Sequence, residues 1–141
     1  IGYGTLLLDV LKAIIPILII KFNFNEYIFI ASLFIFIGHV FPLWLKFKGG
    51  KGVATYVGIL FCLNYILGFI FILCWFLIYF IFKFSSLSSL LASLSVPIYQ
   101  FFFNIDENYY FYIIMFILIF FTHRENIKRL INKTESKTKI Y

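Results

Sequence analysis

Three clusters of polar residues in an otherwise apolar chain could do chemistry. The densest runs from Gly38-His39-Val40-Phe41-Pro42 to Lys46-Phe47-Lys48-Gly49-Gly50-Lys51-Gly52-Val53-Ala54-Thr55. Three glycines in four residues leave backbone N–H groups able to turn into one concavity. Lys46, Lys48 and Lys51 surround it with positive charge. The apolar run that follows reads as a helix, whose N-terminus adds a favourable dipole and whose first turn carries Thr55. Such a loop suits an anion, above all a phosphate. It is not a nucleotide P-loop, because the position five before Gly50 is Leu45 and Lys51 is followed by Gly52 instead of Ser or Thr. The competing reading is a flexible basic turn.

The second cluster is His123-Arg124-Glu125-Asn126-Ile127-Lys128-Arg129-Leu130. On a continuous helix His123 and Asn126 share a face at i, i+3, and Arg124 and Lys128 lie at i, i+4. A His and an Asn with an arginine beside them can bind phosphate or orient a hydroxyl. The competing reading is a basic flank lying on anionic lipid. The third cluster is Asp9 and Lys12, one turn apart inside an apolar run. Ionisable groups there are costly unless they pair or face a polar interior. A self-neutralising pair that snorkels to the interface is the alternative.

The elements that must hold these residues are membrane helices. Of the 141 residues, 63% are hydrophobic and only 13% charged, and the mean hydropathy is +1.01. A soluble domain of this size could not hide so much apolar surface. The aromatic share of 23% fits lipid-facing filler and an A/T-rich genome, so no role is assigned to it. Apolar runs and breakers predict an all-α polytopic membrane bundle of about six spans: 5–20, 27–37, 53–67, 68–82, 87–103 and 109–122. Asn64 and Gly68 serve as turn signals, and the serines of Ser85-Ser86-Leu87-Ser88-Ser89 as N-terminal caps. Several runs fall short of the ~20 residues of a perpendicular span. Their continuity argues against a membrane barrel.

The whole of 1–141 reads as a single membrane domain, with 123–141 a basic cytoplasmic tail. Threading six spans collects 10 of the 12 basic residues on one side: Lys46, Lys48, Lys51, Lys83, Arg124, Lys128, Arg129, Lys133, Lys137 and Lys139. By the positive-inside rule that side is cytoplasmic, and it carries all three clusters. The net charge of +6 therefore reflects topology, and no nucleic-acid partner is expected. Cys62 and Cys74 sit in apolar runs without metal-ligand spacing, so neither a disulfide framework nor a metal site is expected. No two glycines are four residues apart, which excludes a GxxxG face. No secretory signal is visible.

The strings carrying these clusters resemble one family. GHVFPLWLKFKGGKGVAT is similar to the central signature of the bacterial acyl-phosphate–glycerol-3-phosphate acyltransferases. THRENIKRL is similar to their C-terminal signature H-R-x-N-I-x-R-L, and LLLDVLKAIIP to their D-x-x-K-G helix, with Ala13 where glycine is usual. The resemblance implies a seven-helix enzyme of phospholipid synthesis in the bacterial inner membrane. It would move a fatty acyl group from acyl phosphate to the 1-hydroxyl of glycerol 3-phosphate, giving lysophosphatidate and phosphate, with no cofactor and no metal. It further implies His123, Asn126 and Lys51 as catalytic residues. Phosphate binding would fall to His39, Lys48, Gly49, Gly50, Lys51, Gly52, Thr55 and Arg124, with Asp9 and Lys12 in support.

The residues suit that chemistry. Two phosphate anions brought together repel by several kcal/mol at a low effective dielectric, and Lys46, Lys48, Lys51 and Arg124 offset this. Acyl phosphate is already activated, so positioning and stabilisation of the tetrahedral oxyanion suffice. His123 or a substrate phosphate would be the general base. The family's first signature, S-G-N-x-G-A-T-N with a following Arg, has no counterpart here, and Lys133 stands where a glycine is common. The expectation is an N-terminally truncated chain that yields no product on its own. The alternative function is a small transporter or channel for a phosphorylated metabolite, which would need polar residues through the full depth of the bundle. A membrane subunit without chemistry is a third, against which the His39 and Gly-Lys-Gly cluster argues.

Overall fold

The computed structural model describes residues 2–43, 46–47, 49–103 and 108–137. Its elements are helices: α1 (Gly2–Asn23), a single 3₁₀ turn (Asn25–Tyr27), α2 (Ile28–Val40), α3 (Val53–Leu63), α4 (Tyr65–Phe82), α5 (Ser85–Phe103), α6 (Tyr109–Thr122) and α7 (Arg124–Ile131). The chain divides into two compact units, residues 1–68 and 69–141. The first six helices follow the six expected spans in order, with most of their ends shifted by one to four residues. α4 and α5 are long and apolar enough to cross a bilayer, and α2, α3 and α6 are shorter apolar helices. The 11 residues of α3 rise only ~16 Å, about half the hydrocarbon thickness. Outward faces are apolar: Leu73, Leu77, Phe80 and Ile81 of α4 are all more than half exposed, which only a lipid surround makes favourable.

Several boundaries differ from the sequence reading, and those at the end of α3 and the starts of α4 and α5 have a local reason. α3 ends at Asn64, whose backbone turns extended. The Asn64 side chain then accepts the N–H of Ile66 at 3.0 Å and so caps α4. Gly68 lies inside that helix, where its bare Cα admits the ring of Phe61; a Cβ there would sit 2.9 Å from the ring. The serines of α5 are not caps. Ser88 Oγ donates to the Phe84 carbonyl and Ser89 Oγ to that of Ser85, each at 2.9 Å. This back-bonding lets α5 begin two residues earlier than expected and lets buried hydroxyls survive in an apolar helix. Trp75 Nε1 also donates to Ser89 Oγ at 3.1 Å, tying α4 to α5.

In the first unit α1 packs against α3, burying Ala13, Ile17, Tyr56, Ile59 and Leu60 completely. They approach closely at Gly58, where a Cβ would lie 2.9 Å from the Val10 carbonyl oxygen and 3.3 Å from Ala13 Cβ. Small residues thus let two helices touch without any GxxxG spacing. At the end of α3, Lys21 Nζ donates to the Cys62 carbonyl at 2.6 Å, satisfying an orphan C-terminal acceptor. In the second unit α5 packs on α6 and α7 around Ala92, Val96, Tyr112, Met115 and Ile119. Gly58→Leu should overpack the α1–α3 contact and lower stability by about 1–3 kcal/mol, read as a lower unfolding midpoint in detergent.

Candidate functional site

The polar site of the first unit is made by folding the glycine loop back on the last turn of α2. The chain leaves α2 at Phe41 and reverses through Pro42, with Lys46 N–H donating to Leu43 and Phe47 N–H to Pro42 at 3.1 and 3.0 Å. Lys46 and Phe47 take left-handed φ values of 51° and 61°, a conformation that bulky residues rarely adopt and that concentrates at functional sites. The reversal delivers the Gly49 N–H to the Val40 carbonyl at 3.1 Å. Gly49 therefore spends its donor on the fold, and is not among the amides left able to turn into the concavity. Among the described residues, no group accepts from the N–H of Gly50 or Gly52.

Each glycine is needed for proximity. A Cβ on Gly49 would strike the His39 and Val40 carbonyls, one on Gly50 would strike His39 Nε2, and one on Gly52 would strike the Phe36 ring. Gly52 also has φ +83° and forms the N-cap of α3 with no side-chain cap. Behind the loop lies an open cavity of about 480 Å³, walled by Thr5, Asp9, Lys12, His39, Gly49 and Gly50 among others. Asp9 Oδ1 accepts from Lys12 Nζ at 2.7 Å and lies 3.7 Å from His39 Nδ1, beyond hydrogen-bond length but within electrostatic reach. The His39 side chain is almost buried.

The expected residues therefore separate as follows. His39, Gly49, Gly50, Asp9 and Lys12 meet around one cavity. Lys51 is exposed at the loop's rim, and Thr55 is fully buried, its hydroxyl without a hydrogen-bond partner. Lys48 lies outside the described residues. Thr5, which also walls the cavity, escaped the sequence reading because a lone threonine on an apolar helix carries no signal.

In the second unit the helix breaks at His123, which ends α6 and opens α7, instead of running through it as the i, i+3 reading assumed. His123 is 1% exposed, and its Nδ1 meets the Ile119 carbonyl at 2.8 Å. A carbonyl can only accept, so in the neutral ring Nδ1 carries the proton and Nε2 the lone pair. Arg124 turns outward, its guanidinium 4.8 Å from the Phe121 ring centre. Lys128 pairs with Glu125 at 3.4 Å.

Asn126 is buried and held by a residue the sequence reading missed. Glu135 Oε1 accepts from Asn126 Nδ2 at 2.7 Å and from Ser86 Oγ at 2.6 Å, while Oε2 accepts from Arg129 Nε at 2.6 Å. The turn that returns the tail is a Schellman motif: Thr134 N–H donates to Arg129 and Lys133 N–H to Leu130, with Lys133 left-handed at φ 56°. That conformation costs glycine nothing, whereas Lys133 bears the penalty of its Cβ. The signal for Glu135 was its isolation, a single acid between Lys133 and Lys137. Partial burial opposes its charge, but hydrogen bonds from Ser86, Asn126 and Arg129, and the Arg129 charge, hold the carboxyl down at about 2.

The glycine loop of the first unit and the buried histidine of the second both sit on the apolar helices of a membrane protein. The glycerol-3-phosphate acyltransferase family model matches residues 1–133. The chain is 64% identical over 140 residues to a glycerol-3-phosphate acyltransferase of Pelagibacter ubique (strain HTCC1062), covering 99% of this chain and 73% of that protein. It is 44% identical to the Mesorhizobium japonicum enzyme of the same name, covering 95% and 69%. Crystal structures of PlsY (YgiH), an integral membrane glycerol 3-phosphate acyltransferase, in glycerol 3-phosphate and lysophosphatidic acid forms, superpose with a TM-score of 0.89 at 32% identity. They cover 98% of this chain and are covered to 71% and 72%. The chain belongs to the glycerol-3-phosphate acyltransferase family, and its fold is that of a helical integral membrane protein.

Glu135 yields a pH prediction. The carboxyl binds its proton less tightly folded, at about 2, than unfolded, at 4.5. Its stabilisation is therefore complete above pH 4.5 and fades as pH falls toward 2. Proteolysis of the tail after Arg129 should stay slow from pH 8 to 5 and accelerate below 4.5. Glu135→Gln should be cut faster at neutral pH and lose this pH dependence.

Proposed function

We propose that this protein transfers an acyl group from acyl phosphate to the 1-hydroxyl of glycerol 3-phosphate, releasing lysophosphatidate and inorganic phosphate. The observation that carries the reading is the Gly49–Gly52 loop seated on His39, with amides of Gly50 and Gly52 unclaimed. Those donors, the α3 dipole and Lys51 suit a phosphate. Thr55 offers a buried hydroxyl in the first turn of α3. Lys48 and Arg124 add charge that draws anionic substrates. Family membership and the solved relatives in glycerol 3-phosphate and lysophosphatidic acid forms support the acceptor and the product.

Acyl phosphate carries its own leaving group, so the protein need not form a covalent intermediate. His123 is the proposed general base: with Nδ1–H donated to Ile119, Nε2 is the atom that takes the proton of the attacking hydroxyl. Asn126, fixed by Glu135, is proposed to orient a substrate oxygen. The oxygen of the C1 hydroxyl forms the new ester bond and the acyl–phosphate bond breaks, the electron pair leaving on phosphate. The apolar outer faces of the helices hold the acyl chain. By the positive-inside rule, the loop and tail face the cytoplasm across the bacterial inner membrane.

The test is an assay in membranes expressing the full gene, with palmitoyl phosphate and labelled glycerol 3-phosphate. Labelled lysophosphatidate should form, and Lys51→Ala should reduce it at least 100-fold, the effect of losing about 2.7 kcal/mol of charge stabilisation, with unchanged membrane content. Product from palmitoyl-CoA but not palmitoyl phosphate would refute the donor. Undiminished activity in Lys51→Ala would refute the loop assignment.

A further inference from the structure

One wall of the cavity has the wrong charge for a phosphate. Asp9 presents a carboxylate, one-third exposed, to the same space as Gly49 and Gly50. A bare carboxylate there would repel the anion the loop is built to hold. Lys12 cancels it, at 2.7 Å, so this wall carries a neutral pair while the positive charge of Lys51 lies on the loop. The contacts of Asp9 with Lys12 and His39 both fall on Oδ1, which leaves Oδ2 as an acceptor facing no described donor. A carboxylate oxygen whose charge is balanced is a strong acceptor for a hydroxyl. Glycerol 3-phosphate has such a hydroxyl at C2, which the reaction leaves unacylated.

Resting on the function proposed above, we infer that Asp9 is the specificity-determining residue for the acceptor's glycerol moiety, accepting a hydrogen bond from the C2 hydroxyl. Its place is favoured by the fold: the Ala13–Gly58 contact presses α1 onto α3 one turn from Asp9 and brings its carboxylate beside the loop that Gly52 anchors to the same helix. Lys12 then positions the carboxylate and neutralises it, leaving the phosphate to the loop. A site of this kind discriminates against an analogue lacking the hydroxyl, because a hydrogen bond to a charged acceptor is lost.

The experiment compares glycerol 3-phosphate with 3-hydroxypropyl phosphate, which keeps the acylated hydroxyl and lacks the second. Both are assayed with palmitoyl phosphate and the full-gene protein in membranes. The wild type should show a KM about 10- to 100-fold higher for the deoxy acceptor, the range for a hydrogen bond to a charged group. Asp9→Ala frees the Lys12 charge and shifts both KM values, but it should remove the discrimination and bring the two KM values together. Asp9→Asn, which keeps a carbonyl acceptor, should recover much of the discrimination. Equal loss toward both acceptors in Asp9→Ala, or a fall in kcat with KM intact, would overturn the inference in favour of a positioning or proton-transfer role. Should Asp9→Ala fail to accumulate, equal KM values for the two acceptors in the wild type would overturn it alone. Failure of the wild type to acylate glycerol 3-phosphate would instead strike the proposed function.

Discussion

The close seating of the glycine loop on the last turn of α2 governs the polar site of the first unit. The Gly49 N–H bonds the Val40 carbonyl, and the α-carbons of Gly49 and Gly50 lie where any side chain would collide with His39. With this contact go the left-handed turn at Lys46 and Phe47 and the start of α3 at Val53, just after Gly52. An apolar surround makes the arrangement consequential. Gly50 is exposed and Gly52 buried, so of the two amides not used by the fold that of Gly52 is the more shielded from water and the more disposed toward an anion.

The tail shows the same principle with the opposite charge. Glu135 gathers one hydrogen bond each from α5 and Asn126 and a charged one from Arg129. Lys137 adds a contact at 5.8 Å over the Phe84 ring. A short polar segment is thereby fastened to apolar helices by a single carboxylate. Asn126 is held by that carboxylate, and His123 by the Ile119 carbonyl. Both residues proposed for chemistry are thus oriented by groups outside the signature string that made them candidates.

Much of this was legible in the sequence, because membrane helices announce themselves by apolar runs. Six of the seven α-helices among the described residues follow those runs, and α6 does so to the residue. Boundaries failed where a side chain outvoted composition: Asn64 capped α4 earlier than Gly68 suggested, and Ser88 and Ser89 bonded backward instead of capping. The loop, His39, His123 and Asn126 were visible because polar residues crowd rarely in such a chain. Asp9 and Lys12 read as a pair, but their neighbour His39 is thirty residues away in sequence and only folding reveals it. Glu135 and Ser86 were invisible as partners, since a lone acid in a basic tail and a serine in a turn both have ordinary explanations.

The central claim is the proposal that the loop seated on His39 holds the phosphate of the acceptor. Its most direct measurement is the KM for each substrate in Gly50→Ala, where the added methyl would strike His39 Nε2. The account predicts a KM for glycerol 3-phosphate raised at least tenfold, with the KM for palmitoyl phosphate and the membrane content near wild type. Unchanged KM for glycerol 3-phosphate in a well-folded Gly50→Ala protein would contradict it.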